Sequence, residues 1–146
     1  MGILTDAFIA SASELDALRP GAGGPAALFP TVQAKRMDPV KLASLEALLA
    51  PPARDWDEDG MLMREWEEQW IYRLKSSLAH GLVALPADEI ARVAREWAAT
   101  EEWRLDGVDP ANDASVADLA ALIAGLRQLA WQARQDAKDL YLWISL

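Results

Sequence analysis

No cysteine occurs in this chain, and histidine occurs once, at His80. Whatever it folds into must be held by packing and hydrogen bonds alone. Disulfides, cysteine zinc sites and multi-histidine metal centres are unbuildable. Thiol nucleophiles and Cys–His pairs are excluded by the same shortage. A core is available to carry that load. The chain has 146 residues, 52% of them hydrophobic, long enough for one domain spanning residues 1–146 and too apolar for disorder. Seven tryptophans outnumber Phe and Tyr together. Each buries a large area while keeping one N–H donor, so most belong in the core or half in it.

The formal net charge is −9 and is unevenly spread. Residues 54–70 hold seven acids against two arginines, and residues 96–118 hold seven against one. The remainder of the chain is slightly basic. Nucleic-acid binding is disfavoured, because phosphate neutralisation needs the opposite sign. Anionic membrane surfaces are disfavoured for the same reason, and no apolar run approaches the length of a membrane span. The first residues lack a basic region and Asp6 interrupts their apolar stretch, which argues against a signal peptide; Asp6 also stands where a myristoylation motif after Gly2 needs Ser or Thr. A soluble, cytoplasmic protein is expected, whose acidic segments suit a basic protein partner or a cation.

The punctuation of the chain predicts mostly helices. Ser11 and Glu14 have capping-box spacing, and Pro20-Gly21 must end that helix. Residues 20–30 read as a Gly/Pro loop. Asp38 and Pro39 open a helix with Leu42, Leu45, Leu48 and Leu49 on one face. Pro51-Pro52 stops it before an acidic loop. Residues 61–85 fit one long helix through Met63, Trp66, Trp70, Leu74, Leu78, Leu82 and Leu85. They also fit a break at the β-prone Trp70-Ile71-Tyr72-Arg73 with a helix from about residue 76. A helix over roughly 87–103 follows Pro86. Ser115 is expected to cap the longest helix, which runs to about Asp136 on a stripe of Val116, Leu119, Leu122, Ile123, Leu126 and Leu129. Residues 3–10 could be strand or helix, residues 31–37 a short strand, and residues 140–146 a strand. The expected fold class is therefore mainly α: four or five helices with a few short marginal strands, or alternatively an all-α bundle.

Catalytic and metal motifs are absent. The residue three before His80 is Ser77, so no Glu-x-x-His pair exists, and one histidine cannot make HExxH. Asp55, Asp57, Asp59 and Gly60 follow a calcium-loop pattern, but its twelfth position is Trp66 rather than Glu. Gly23-Gly24 lies outside any strand–loop–helix context for phosphate. No serine sits in Gly-x-Ser-x-Gly. Adjacent carboxylates such as Glu67–Glu68 diverge on a helix. No catalytic residue, metal or cofactor is expected.

Two groups of residues carry functional expectations. Asp6, Lys35, Tyr72, Arg73 and Trp143 sit in strand-like segments amid apolar neighbours. If the terminal strands pair, they could ring one end of a small sheet. There they would make a structural ion pair of Asp6 with Lys35 or Arg73, or a pocket for a small polar ligand. Trp66 and Trp70, at i, i+4 and surrounded by Glu65, Glu67 and Glu68, together with Trp103, are candidates for an exposed aromatic surface at a homodimer or partner interface. The first functional expectation is a non-enzymatic protein-interaction module, in its sharper form an acidic immunity- or inhibitor-type protein for a basic partner. The second is a small polar-ligand binder or weak enzyme.

Overall fold

The strands form the centre of the protein rather than its margin. In the computed structural model, which describes residues 3–19, 23–49 and 61–146, β1 (Leu4–Ala10) and β5 (Asp139–Ser145) pair antiparallel over their full lengths. β2 (Thr31–Gln33) adds to the outer side of β1. β4 (Gln69–Arg73) adds to β5 and β3 (Met61–Trp66) to β4, giving the order β2-β1-β5-β4-β3. The acidic loop at 53–60, with its calcium-like pattern, lies outside the described residues.

This five-stranded antiparallel sheet overturns the mainly helical expectation and the all-α alternative: the fold is mixed α/β. The reason is physical. β1 and β5 are interior strands covered on both faces; residues 5–10 of β1 are all buried. A strand buried on both sides reads as a continuous apolar run, without the alternation that marks a half-exposed one. The β3–β4 hairpin misleads differently. Trp66 and Trp70 are four apart, as on a helix, yet Glu67 and Glu68 form a two-residue turn between them. Glu68 adopts φ 63°, a left-handed conformation usually announced by Gly or Asn. Nothing in Trp-Glu-Glu-Gln advertises that turn.

Helices cover one face of the sheet. They are α2 (Pro39–Leu49), α3 (Ser76–Ala84), α4 (Ile90–Ala98), α5 (Glu101–Leu105) and α6 (Asp113–Asp136). The α6 stripe of Val116, Leu119, Ile123, Leu126, Leu129, Ala130 and Ala133 is buried and joins Ala7, Ile9, Leu140 and Leu142 of the sheet in the main core. Three details depart from the sequence reading. The cap of α6 is Asn112, whose side chain accepts from the Ser115 N–H at 3.1 Å, so the helix starts before Ser115. The expected 87–103 helix begins as a single 3₁₀ turn at Ala87–Glu89. It then breaks at Ala99–Thr100, where the Thr100 hydroxyl donates to the Trp97 carbonyl at 2.6 Å. The opposite sheet face is covered by the short α1 (Ala12–Leu15) and by residues 23–30. α1 carries the expected capping box: Ser11 accepts from Glu14 N–H, and Glu14 accepts from Ser11 N–H. Here Phe8 stacks on Phe29 and Tyr141 at 5.6 and 5.4 Å.

One buried cation organises the helical layer. Lys41 is 3% exposed. Its ammonium donates to the Arg36 carbonyl at 2.5 Å, pairs with Asp106, and lies 4.4 Å from the centre of the Trp103 ring. A charge removed from water needs such compensation on every side. It ties α2 to the end of α5, which no local pattern in the sequence indicates.

Candidate functional site

Two chain reversals lie side by side at one end of the sheet, because β4 and β5 pair there through Arg73 and Tyr141. In the first, the chain leaves β4 at Arg73, and Leu74 N–H donates to the Leu140 carbonyl at 2.9 Å. Lys75 remains extended, and α3 starts at Ser76. In the second, α6 ends as Ala137 turns left-handed at φ 52°, and Lys138 N–H caps the Ala133 carbonyl at 2.8 Å. The chain then enters β5.

A cleft of about 320 Å³ opens between α3 and α6 above these reversals. Its described lining combines the apolar Leu74, Ala79, Val83, Ala130, Ala133 and Leu140 with Arg73, Lys75, Arg134, Lys138, His80 on α3 and Asp139. Among the described residues four cations and one acid line it, in a chain whose net charge is −9. Two of the cations are engaged: Lys138 with Glu14 at 3.0 Å and Lys75 with Glu46 at 3.9 Å. The Glu14 carboxyl is held below its usual range, first by the Ser11 backbone N–H and then by Lys138. Arg73 and Arg134 have no ion-pair partner among the described residues, but Arg73, the cross-strand neighbour of Tyr141, belongs to the sheet face away from the helices, so it is Arg134 that brings a guanidinium to the helix side. Asp139 and Arg73 act in opposite directions on Tyr141, whose hydroxyl is pushed up chiefly by burial, with Asp139 adding to that and Arg73 opposing it. α3 begins beside the cleft at Ser76, with Lys75 as its extended N-cap residue.

The residues expected to form a polar pocket separate. Asp6 and Trp143 are direct cross-strand neighbours on the face away from the helices. Tyr72 belongs to the opposite, helix-covered face, where it packs against the main core. Lys35 is exposed in the turn after β2. Arg73 stands at the cleft end of the sheet. No ion pair joins Asp6 to Lys35 or Arg73 among the described residues. Trp143 is 5% exposed, and its ring lies against Gly24, leaving no room for a Cβ there. Asp6 is a buried carboxylate whose pKa is raised above the usual 3.8 by desolvation. Its raised pKa means that folding favours the protonated form. Its contribution to stability is full below pH 3.8 and lost as pH rises through the folded value. Asp6→Asn is therefore expected to raise stability at pH 7 by on the order of 1–2 kcal/mol. That gain should shrink towards zero in denaturation curves taken below pH 4. An Asp6→Asn protein less stable than the parent at pH 7 would show the carboxylate to be compensated.

The aromatic candidates also divide. Trp103 is 3% exposed and meets Trp97 edge-on at 5.2 Å, so it is a core residue. Trp66 and Trp70 are half-buried on opposite faces of the hairpin, not on one helix face. Trp66 packs on the Phe8–Tyr141 cluster. The Trp70 indole N–H lies 3.4 Å from Glu65 Oε1. This hairpin end adjoins both terminal strands. Leu4, Ser145, Gln69 and Trp66 share one register row, and Leu146 N–H donates to the Glu68 carbonyl at 2.9 Å.

The sequence reading did not assemble the cleft. Lys75, His80, Arg134 and Lys138 come from distant segments with ordinary local patterns, and only their slight basic excess outside the acidic runs was visible. Among the described residues no cluster of His, Asp and Glu could hold a metal ion, and no helix is long and apolar enough to cross a membrane. Comparison of the chain with protein-family models, with curated proteins and with solved structures finds no match.

Proposed function

We propose that this protein binds a small organic anion in the cleft between α3 and α6. The observation that carries the reading is Arg134 on α6, which lines this concave, partly apolar site without an ion-pair partner among the described residues, with His80 of α3 lining the same site. Guanidinium groups stay charged at any physiological pH, and in a cleft they favour an anion that supplies matching acceptors. A volume of about 320 Å³ is at the small end of the range for ligand sites. Amide NMR titration with phenyl phosphate, benzoate and neutral benzyl alcohol tests it. Saturable shifts confined to residues 73–80 and 130–139 are expected for at least one anion, with none for the alcohol. They should be lost in Arg134→Gln and kept in Arg92→Gln, on the exposed face of α4. Absence of saturation with both anions, or equal shifts with the alcohol, would overturn the reading.

A second reading, the protein-interaction module, draws on the other end of the sheet. Ile3, Leu4 and Leu146 are each more than half exposed there, beside half-buried Trp66 and Trp70 and the acids Glu65, Glu67 and Glu68. Apolar anchors ringed by like charge suit a partner that is basic around an apolar contact. An immunity- or inhibitor-type role is the sharper form. Affinity capture from native lysate should recover a partner of basic isoelectric point. That capture should weaken in 0.5 M salt and be lost in Glu67→Lys/Glu68→Lys, while cleft titrations are unchanged. Recovery of no such partner, or capture indifferent to the two charge reversals, would count against it.

A further inference from the structure

We infer that this protein forms a two-fold symmetric dimer in which the solvent-facing side of α6 packs antiparallel on the same side of α6 in a second copy. The exposed row of α6 runs Ala114, Ala117, Ala121, Ala124, Gln128 and Trp131. Its steps alternate between three and four residues, the spacing of a seam between paired helices. No residue of the row is charged, although a quarter of the chain is. A helix face that meets only water ordinarily carries charge, as α4 does with Arg92, Arg95 and Glu96 exposed. Trp131 ends the row. At 40% exposure it is the most exposed tryptophan among the described residues. An indole left in water on an otherwise uncharged face marks a contact surface.

The charges flanking the row identify the occupant as a second copy. Asp113 and Arg134 lie on one flank of it, three heptads apart at opposite ends of the helix, and both are exposed. Antiparallel pairing sets Asp113 of each copy beside Arg134 of the other, so the two-fold axis makes the ion pair twice. Within the chain, Asp113 meets only the exposed Arg95, at 3.0 Å, a pairing that solvent screens. The same register seats Trp131 of each copy over Ala114 of the other, Gln128 over Ala117, and Ala121 against Ala124. Each large side chain therefore meets a small one, which lets the two helices approach closely. Other arrangements fit worse. Sliding the pair by one heptad in one direction sets Arg127 against itself, and in the other direction leaves Trp131 beyond the end of the seam. Parallel pairing faces Asp113 with Asp118 and stacks Trp131 on itself.

Sedimentation equilibrium of the full chain tests this. Arg134 also lines the α3–α6 cleft, so the buffer contains no organic anion. A monomer–dimer equilibrium with a dissociation constant of about 100 µM or tighter is expected. Ala124→Glu sets like charges near the two-fold axis and should weaken association at least about tenfold. Its melting temperature should match the parent, because Ala124 is exposed in the single chain. Asp113→Arg and Arg134→Asp should each weaken association about fivefold or more, and the two together should restore it to within about twofold of the parent. The chain has no cysteine, so Ala117→Cys and Gln128→Cys report the register. On mild oxidation a mixture of the two variants should cross-link, and neither should cross-link alone. Self-cross-linking of Ala117→Cys would show parallel pairing and overturn the inference. A wild type that stays monomeric at about 1 mM would also overturn it, whether the face is then bare or takes a different protein. So would a dimer indifferent to Ala124→Glu, or a charge swap that fails to restore association.

Discussion

Trp97→Ala is expected to lower folding stability by about 3–5 kcal/mol. Trp97 is fully buried on α4. Its indole N–H donates to the Lys41 carbonyl at 2.9 Å, and its ring meets Trp103 at right angles. Truncation removes the packing of the helical layer and one of the donors to the Lys41 carbonyl, which keeps the Ser44 hydroxyl at 2.8 Å. In a domain of this length the loss should lower the melting temperature by roughly 6–20 °C. The phenylalanine pair separates packing from hydrogen bonding. Trp97→Phe keeps a ring but loses the donor, and should cost about 1–3 kcal/mol. Trp103→Phe should cost less, because the Trp103 indole N–H is buried without a hydrogen-bond partner among the described residues, and its removal ends an unfavourable desolvation. Denaturant titrations in which Trp103→Phe is the more damaging of the two would contradict this assignment.

Gly24→Ala is expected to cost about 2–4 kcal/mol, combining two separable penalties. Gly24 has φ 85°, where a Cβ is strained against the backbone. A Cβ there would also lie 2.9–3.2 Å from three ring atoms of Trp143. Gly23 is the internal control. It has nearly the same dihedral, φ 83°, but an added Cβ meets nothing within 4 Å. Gly23→Ala should therefore lose only the backbone part, about 1 kcal/mol. The difference between the two variants in equilibrium unfolding measures the contact with Trp143. Equal losses would mean that residues 23–30 lift away from the sheet to accommodate the methyl group. The second of the two glycines thus has a packing role, sealing the sheet face on which Asp6 and Trp143 lie.

Local signals in the sequence were reliable where one segment determines its own conformation. The Ser11–Glu14 box, the Asp38-Pro39 helix start, the long α6 stripe and the terminal strand at 140–146 depend on neighbours within a few residues. The position of Trp143 in a strand was legible for the same reason, while Asp6 lay in a segment that could be strand or helix. Their pairing required β1 and β5, at opposite ends of the chain, to meet. The sheet itself was not legible, because burial on both faces erases the period of two in β1. The Trp66–Trp70 spacing imitated a helix until the Glu67–Glu68 turn reversed the chain. Which face each residue took followed from register: Tyr72 went to the helices, and its neighbour Arg73 to the end of the strand.

The absence of cysteine, the single histidine and the acidic balance were properties of the sequence alone, and they excluded whole classes of chemistry before any fold was known. Where charge gathers was decided only by the tertiary structure. Arg73, Lys75, Arg134 and Lys138 lie far apart along an acidic chain. They line one cleft because β4 and β5 pair, and because α3 and α6 both meet the sheet at the same end. Electrostatic attraction for a ligand depends on distances in space, and chain order contains those distances only through the fold.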